Sequence, residues 1–431
     1  MTETKIPLIE VLTAIQPIED NGGLDSPMLH NKLQEYSPFE GDMWQDFLNS
    51  PAGGLKEEKA ARVLGSYYFL KTADKLQHYT DNKEQWTQRF NTSSEELYGK
   101  PDRKIALGII AIDNTELSHT PTPTLASRIY GELSKTVSGS SIHETKKDSI
   151  LELRTALFDF LPDIVLTIEA LKDKEYTPAE VREIFKTIIS SLAEKDTTWL
   201  EWKITNQPLK TMMSVTSESK FIDVPDGRSN IKNKNELLGL AFHEIGVHAM
   251  RGNNGVKSTG LLAQGLPEYN DFEEGLGVIF EYITTGNIPQ KIKDRYVDIA
   301  LATGVIDDHI MSRSELIDLA LSREKTRAMI KGTPLRDRGT LIKDVTSHIN
   351  RIFRGGDGKP VYENGILIEQ AVFTKDIAYY EGFEIAHKFI TDQIKDGVSP
   401  KDLFTYLLKG KFDPTSERHQ IYLREIGIKT L

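Results

Sequence analysis

Apolar residues recur at helical spacing over most of this chain. Ala60, Val63, Leu64, Tyr67, Leu70 and Leu76 predict a packing helix over 56–79. Ile105–Ile112 (IALGIIAI) is a short apolar run that suits a buried strand or a buried helix, and periodicity does not separate the two. Pro121 and Pro123 precede a helix over 125–137, followed by a polar loop at 138–147. Leu151, Leu153, Leu157, Leu161, Ile164 and Ile168 line one side of a long helix over 150–171. Thr177-Pro178-Ala179-Glu180 supplies an N-cap, a first-turn proline and the returning Glu of a capping box, so the next helix runs to about Glu194. Further helices are expected over 289–302, 314–330, 340–353, 381–395 and 400–408, with a tight loop at Gly355-Gly356-Asp357-Gly358.

One stretch has a different texture. Between Thr198 and Asp226, Trp199, Trp202, Ile204, Val215, Phe221, Ile222 and Val224 are β-formers separated by turn residues, which predicts two or three strands. They lie just before the apolar run LLGLAFHEIGVHAMR at 237–251. A small sheet in that place could offer an edge strand to an extended peptide. The expected fold is therefore α+β, predominantly helical, with a small sheet beside the 237–251 helix. Turn formers such as Asn21-Gly22-Gly23 and Pro51-Ala52-Gly53-Gly54 mark 1–54 as a wrapping segment. Residues 55–196 then form a helical N-terminal region and 197–431 a catalytic region packed with it.

Composition narrows the chemistry. The 431 residues contain no cysteine, which excludes disulfides, thiolate nucleophiles and Cys-type zinc sites. Any metal must be held by His, Asp and Glu. A formal net charge of -11 argues against nucleic acid or anionic membranes as partners, since both need a cationic surface. The N-terminus lacks the basic start and apolar run of a signal peptide and no segment is apolar enough to span a bilayer, so the expected location is the cytoplasm.

The candidate chemistry sits where an apolar helix would not want it. His243, Glu244 and His248 interrupt the 237–251 run, and an unpartnered charge there would be costly. Zinc hydrolysis needs three protein ligands, an open position and a carboxylate that takes a proton from water. On a regular α-helix, residues five apart point about 140° away from each other, which would keep the two imidazoles off a common ion. A π-type turn returns them to one side, and Gly246 inside the gap eases that distortion. Taken alone, the pair fits two core histidines bonded to backbone equally well. A second helix, from YNDFEEGLGVIFEY at 269–282, buries Leu276, Ile279, Phe280 and Ile283, while Gly275 and Gly277 permit close approach of a neighbour. Glu273 and Glu274 at its start suit the helix dipole and also offer a third ligand.

HEIGVH followed by EEGLG resembles the HExxxH and E(G)LA signature of the microtubule-associated tyrosine carboxypeptidase family, whose bacterial relatives carry a QEGLA motif. Phe353-Arg354-Gly355 and Phe373-Thr374-Lys375-Asp376 with Tyr379 are similar to two further family segments, and Leu97-Tyr98-Gly99-Lys100-Pro101 is a weaker echo. The resemblance spans roughly 55–395, with its specific motifs confined to 243–382. It implies a zincin-like metallopeptidase fold and a Zn2+ cofactor held by His243, His248 and Glu274, with Glu244 as general base. Glu273 stands where relatives have Gln, so it falls outside the ligand set and its loss should leave metal occupancy nearly intact. Gly277 stands where the family has Ala, which reads as a mild change.

The resemblance also implies a peptide or protein C-terminus as substrate. A terminal carboxylate calls for a cation, for which Arg354 and Lys375 are the candidates, and Tyr379 could donate to the oxyanion. Surface charges and a core Tyr would look the same in sequence. Between Arg323 and Arg354 nine Lys or Arg face three Asp or Glu, an excess that an acidic peptide could use. The expected function is a zinc carboxypeptidase removing a tyrosine or other aromatic residue. An endopeptidase or other zinc hydrolase on the same scaffold, and a non-catalytic metal-binding regulator, are the alternatives.

Overall fold

The computed structural model describes residues 83–120, 122–135, 150, 153–207, 213–266, 268–335, 337–353, 361–363 and 366–431. The segment 1–54, the helix at 56–79, the loop at 138–147, Arg354 and Gly355–Gly358 lie outside the described residues.

In chain order the elements begin with α1 (Lys83–Tyr98), α2 (Arg103–Leu117) and α3 (Leu125–Ser134). The ambiguous run at 105–112 is therefore helical, and Asp102 caps it by accepting from the Lys104 and Ile105 amides. The long helix expected over 150–171 is two helices, α4 (Leu153–Phe160) and α5 (Pro162–Glu169). Pro162 explains the break: it has no N–H to continue the ladder, and it sits in the first turn of α5 where none is needed. α6 (Pro178–Lys195) follows with the Thr177–Glu180 capping box in place.

The strand-rich stretch forms β1 (Lys203–Thr205), β2 (Ser214–Thr216) and β3 (Phe221–Asp223), in the order β1-β3-β2. β1 runs parallel to β3 and β2 antiparallel to it, so β2 is an edge strand. Trp199 belongs to a 3-10 turn (Thr197–Glu201), and Trp202 is the residue that ends it. The two rings pack together, and the Trp202 indole donates to Asn253 at 3.1 Å. α7 (Lys234–Ala241) then passes without a break into a π-helix (Phe242–Ala249) and α8 (Met250–Ser258), and the extended Thr259 separates these from α9 (Gly260–Gln264).

The remaining elements are α10 (Asn270–Thr285), α11 (Gln290–Ala302), α12 (Arg313–Lys331), α13 (Arg338–Ile352), the antiparallel pair β4 (Val361–Glu363) and β5 (Ile366–Glu369), α14 (Ala378–Lys395), α15 (Pro400–Leu407) and α16 (Glu417–Glu425). The β4–β5 hairpin and α16 are additions to the sequence reading. The class is α+β, predominantly helical, with a small three-stranded sheet. No helix among the described residues is long and apolar enough to cross a membrane.

The chain divides into two compact units. The first draws on Leu55–Thr145 and Gln290–Ile377. In it α2 buries Ala106, Leu107, Ile109 and Ile110 and packs on α3, α11 and α12. The 3-10 turn Thr374–Ile377 is held to α1: Phe373 packs on Phe90 and Tyr98, and the Thr374 amide donates to Ser94 at 2.8 Å. The second unit draws on Lys146–Pro289 and Ala378–Leu431. Its centre is the π-helix, packed on α10, while α10 packs along α14. Leu276, Ile279, Phe280 and Ile283 are all fully buried, the face the sequence predicted.

Candidate metal centre

The π-helix supplies two of three converging side chains. Its apolar residues Phe242, Ile245, Val247 and Ala249 are fully buried, so the segment is anchored around its circumference and the turn widens rather than rotating His248 away. Gly246 faces Leu161, whose Cδ1 would lie 3.1 Å from an added Cβ. With that turn in place the His243 and His248 rings stand 4.9 Å apart, centroid to centroid.

α10 brings the third side chain. It approaches α14 so closely that a Cβ on Gly275 would sit 2.0 Å from the backbone of Gly382, and one on Gly382 would meet the Asp271 carbonyl. Only glycine fits at these two positions. Against the π-helix, a Cβ on Gly277 would lie 2.7 Å from the His243 ring. These contacts set Glu274 between the imidazoles: its Oε2 is 3.8 Å from His243 Nε2 and 3.6 Å from His248 Nε2. One ligand atom from each of His243, His248 and Glu274 lies within 4.8 Å of the others. Ligands about 2.0–2.1 Å from a tetrahedral zinc lie roughly 3.4 Å apart, so the two His–Glu separations are near what a shared ion requires.

The other ring nitrogens are held by carboxylates. His243 Nδ1 is 2.6 Å from Glu281 Oε1, and His248 Nδ1 is 2.9 Å from Glu273 Oε1. A carboxylate on the far nitrogen fixes the tautomer with Nε2 as the free electron pair, which is the usual outer support of a metal-binding histidine. Burial pulls the His243 pKa down, yet Glu274 and Glu281 outweigh it and raise it to about 10. Burial likewise works against His248, and Glu273 and Glu274 push its pKa up. Surroundings that draw two buried imidazoles toward the charged form favour positive charge at this point.

Glu273 is itself tied down. Burial raises its pKa, but Lys411 and Arg251 win and hold it at about 2. Arg251 Nη1 donates to Glu273 Oε2 at 2.9 Å, its Nε to the Gly410 carbonyl at 2.7 Å, and Lys411 Nζ lies 3.1 Å from Glu273 Oε1. Glu273 stands outside the converging trio, yet it contacts His248 and pairs with two buried cations, roles the sequence did not reveal. The Gly277 difference is also more than mild, since an alanine methyl would press on the His243 ring.

Glu244 follows His243 in the π-helix and is half-buried. Tyr379, in the first turn of α14, is half-buried with its ring 6.4 Å from that of His243. Lys375 is half-buried in the 3-10 turn of the first unit, whereas the converging trio is in the second. Around Lys375, the segment Phe373–Asp376 is occupied with packing: Asp376 accepts from Arg351 and lies 3.3 Å from Arg295. The basic stretch is likewise partly consumed, with Arg323 and Arg327 buried against Asp298 and Asp294 and Arg351 on Asp376. These three arginines do not present charge to a peptide.

Sequence reasoning missed Glu281, Arg251 and Lys411. Glu281 was open to inference, because it falls seven residues after Glu274, two turns along the same helix face, inside the apolar run VIFEYI.

Residues 120–303 match the model of the microtubule-associated tyrosine carboxypeptidase family. The resemblance suggested by the motifs thus holds over a stretch that contains His243, Glu244, His248, Glu273, Glu274 and Glu281. Arg354, Lys375 and Tyr379 lie beyond it. Neither the curated proteins nor the solved structures give a match.

Proposed function

We propose that this chain is a zinc-dependent carboxypeptidase that removes a C-terminal tyrosine or other aromatic residue from a peptide or protein. The observation that carries the reading is the arrangement of two imidazoles, each braced at Nδ1 by a carboxylate, around a third carboxylate facing both Nε2 atoms. Two nitrogens and one carboxylate oxygen are a zinc hydrolase's donor set, and they leave a position open. A non-catalytic site has no use for a base beside the ion, and Glu244 is adjacent to His243. The family match, through its name, supports the substrate class.

His243, His248 and Glu274 would hold the metal. Zinc bound there supplies Lewis acidity, which lowers the pKa of a water to about 7 and polarises the peptide carbonyl. Glu244 takes the proton from the attacking water and returns it to the leaving amine. Tyr379 donates from its hydroxyl to the oxygen on which negative charge develops. Glu281 and Glu273 keep the two rings in the orientation the chemistry needs.

Glu244→Gln should keep its metal and lose hydrolysis by roughly 10²–10⁴-fold. The check is zinc analysis of the purified variant beside incubation with peptides that differ only in the C-terminal residue, with products read by mass. Cleavage by Glu244→Gln at the parent rate removes Glu244 as the base. Cleavage of C-terminally amidated peptides by the parent marks an endopeptidase instead.

A further inference from the structure

Arg228 lies in the turn between β3 and α7, half-buried, in the same unit as the metal centre. A partly desolvated guanidinium ordinarily finds a carboxylate, because it is always charged and carries five donors. Arg228 makes no ion pair with any described residue. Its Nε donates to the neighbouring Ser229 carbonyl at a long 3.4 Å, and its Nη1 reaches the Met213 thioether at 3.7 Å, both weak partners. The Nη1–Nη2 fork, the face that matches a carboxylate with two parallel bonds, has no oxygen on it among the described residues.

Position adds to this. Met213 immediately precedes β2, the edge strand that packs on the π-helix carrying Glu244. Burial lowers the Arg228 pKa, and the acids whose charge partly offsets this are Glu244, Glu236 and Glu281, so the guanidinium shares the electrostatic surroundings of the site without pairing with it. An edge strand beside the metal centre would hold an extended peptide, and a cation next to that strand would meet the peptide's end.

We propose that Arg228 receives the terminal carboxylate of the substrate, and so makes the site select a free C-terminus. The proposal rests on the carboxypeptidase reading for its substrate class but not for its test. Binding is measured by fluorescence anisotropy on zinc-loaded Glu244→Gln protein, with labelled peptides ending in tyrosine as free acid or as amide. A third peptide, amidated and with an added Asp before the tyrosine, separates a terminal carboxylate from a side-chain one.

The expected result is tighter binding of the free acid than of either amide. Adding Arg228→Met should weaken the free acid by roughly 30-fold or more, to the level of the amides, with amide binding and zinc content unchanged. Arg228→Lys keeps the charge without the fork and should restore part of the preference, which a mere folding defect would not do. A preference for the free acid that persists in Arg228→Met overturns the proposal, as does equal binding of acid and amide by the Arg228 protein. Absence of hydrolysis by the parent protein would instead count against the carboxypeptidase reading, because the binding preference is read without turnover.

Discussion

Each unit buries a cluster of carboxylates, and the two clusters are neutralised differently. In the first, Arg327 bridges Asp294 at 2.6 and 2.8 Å and Asp113 at 2.8 Å, while Arg323 forms a two-pronged pair with Asp298 at 2.8–2.9 Å. His348 adds a contact to Asp298 at 3.1 Å. In the second, Glu273 meets the fixed cations Arg251 and Lys411, Glu281 meets an imidazole, and Glu274 faces two. Guanidinium is charged at any pH a protein meets, so the first cluster is complete as the chain supplies it. Imidazole becomes charged only by holding a proton, which these carboxylates favour and a metal ion would displace, so the balance of the second cluster changes with what binds there. Similar acid content thus gives a structural brace in one place and, on the function proposed above, a receptor for a metal in the other.

The sharpest break of that contrast is to remove a cation from the complete cluster. Arg323→Met leaves Asp298 and Asp294 buried with part of their positive partner gone, and breaking a buried pair from one side costs about 3–5 kcal/mol. Urea unfolding should show that loss, while zinc bound per folded chain stays at the parent level. A cost below about 1 kcal/mol would mean that the brace does not depend on this arginine.

A smaller effect is expected on the other side of the comparison. Glu281→Ala removes the carboxylate from His243 Nδ1 and frees the ring, without touching a metal ligand. Zinc affinity should fall by roughly 10–100-fold, measured by competition with a chelator, and Glu281→Gln should fall less because its carbonyl still accepts. Affinity equal to the parent's in Glu281→Ala would leave the second cluster without the outer support ascribed to it.

How much of this was legible in the chain depends on which interactions repeat locally. Helices with caps and apolar stripes, such as Pro178–Lys195, read directly, because capping and periodicity are encoded within a few residues. The widened turn was legible too, since two histidines five apart beside a glycine leave few other ways to face one ion. Pairings between distant segments were not. Lys411 reaches Glu273 from 138 positions away, and nothing in the local pattern around Phe412 marks it as buried. Arg323 and Arg327 are hard to read for the same reason: a basic stretch looks like a charged surface until the aspartates of Gln290–Ala302 are seen against it.

The finest cut on the comparison tests whether the second cluster is built to the tolerance a metal demands. Gly277→Ala changes no charge and no ligand, but its methyl would stand 2.7 Å from Cε1 and Nε2 of His243, and the ring is held from behind by Glu281. The ring cannot retreat without lengthening that hydrogen bond, so the strain falls on the imidazole that must present Nε2. Overpacking of this kind costs about 1–3 kcal/mol, and part of it should appear as weaker zinc binding rather than as lost stability. Stability measured on metal-free protein, set beside zinc affinity, divides the two. A variant that loses stability alone, with zinc affinity unchanged, would show that the histidine has slack. The site would then owe its selectivity to charge and not to fit.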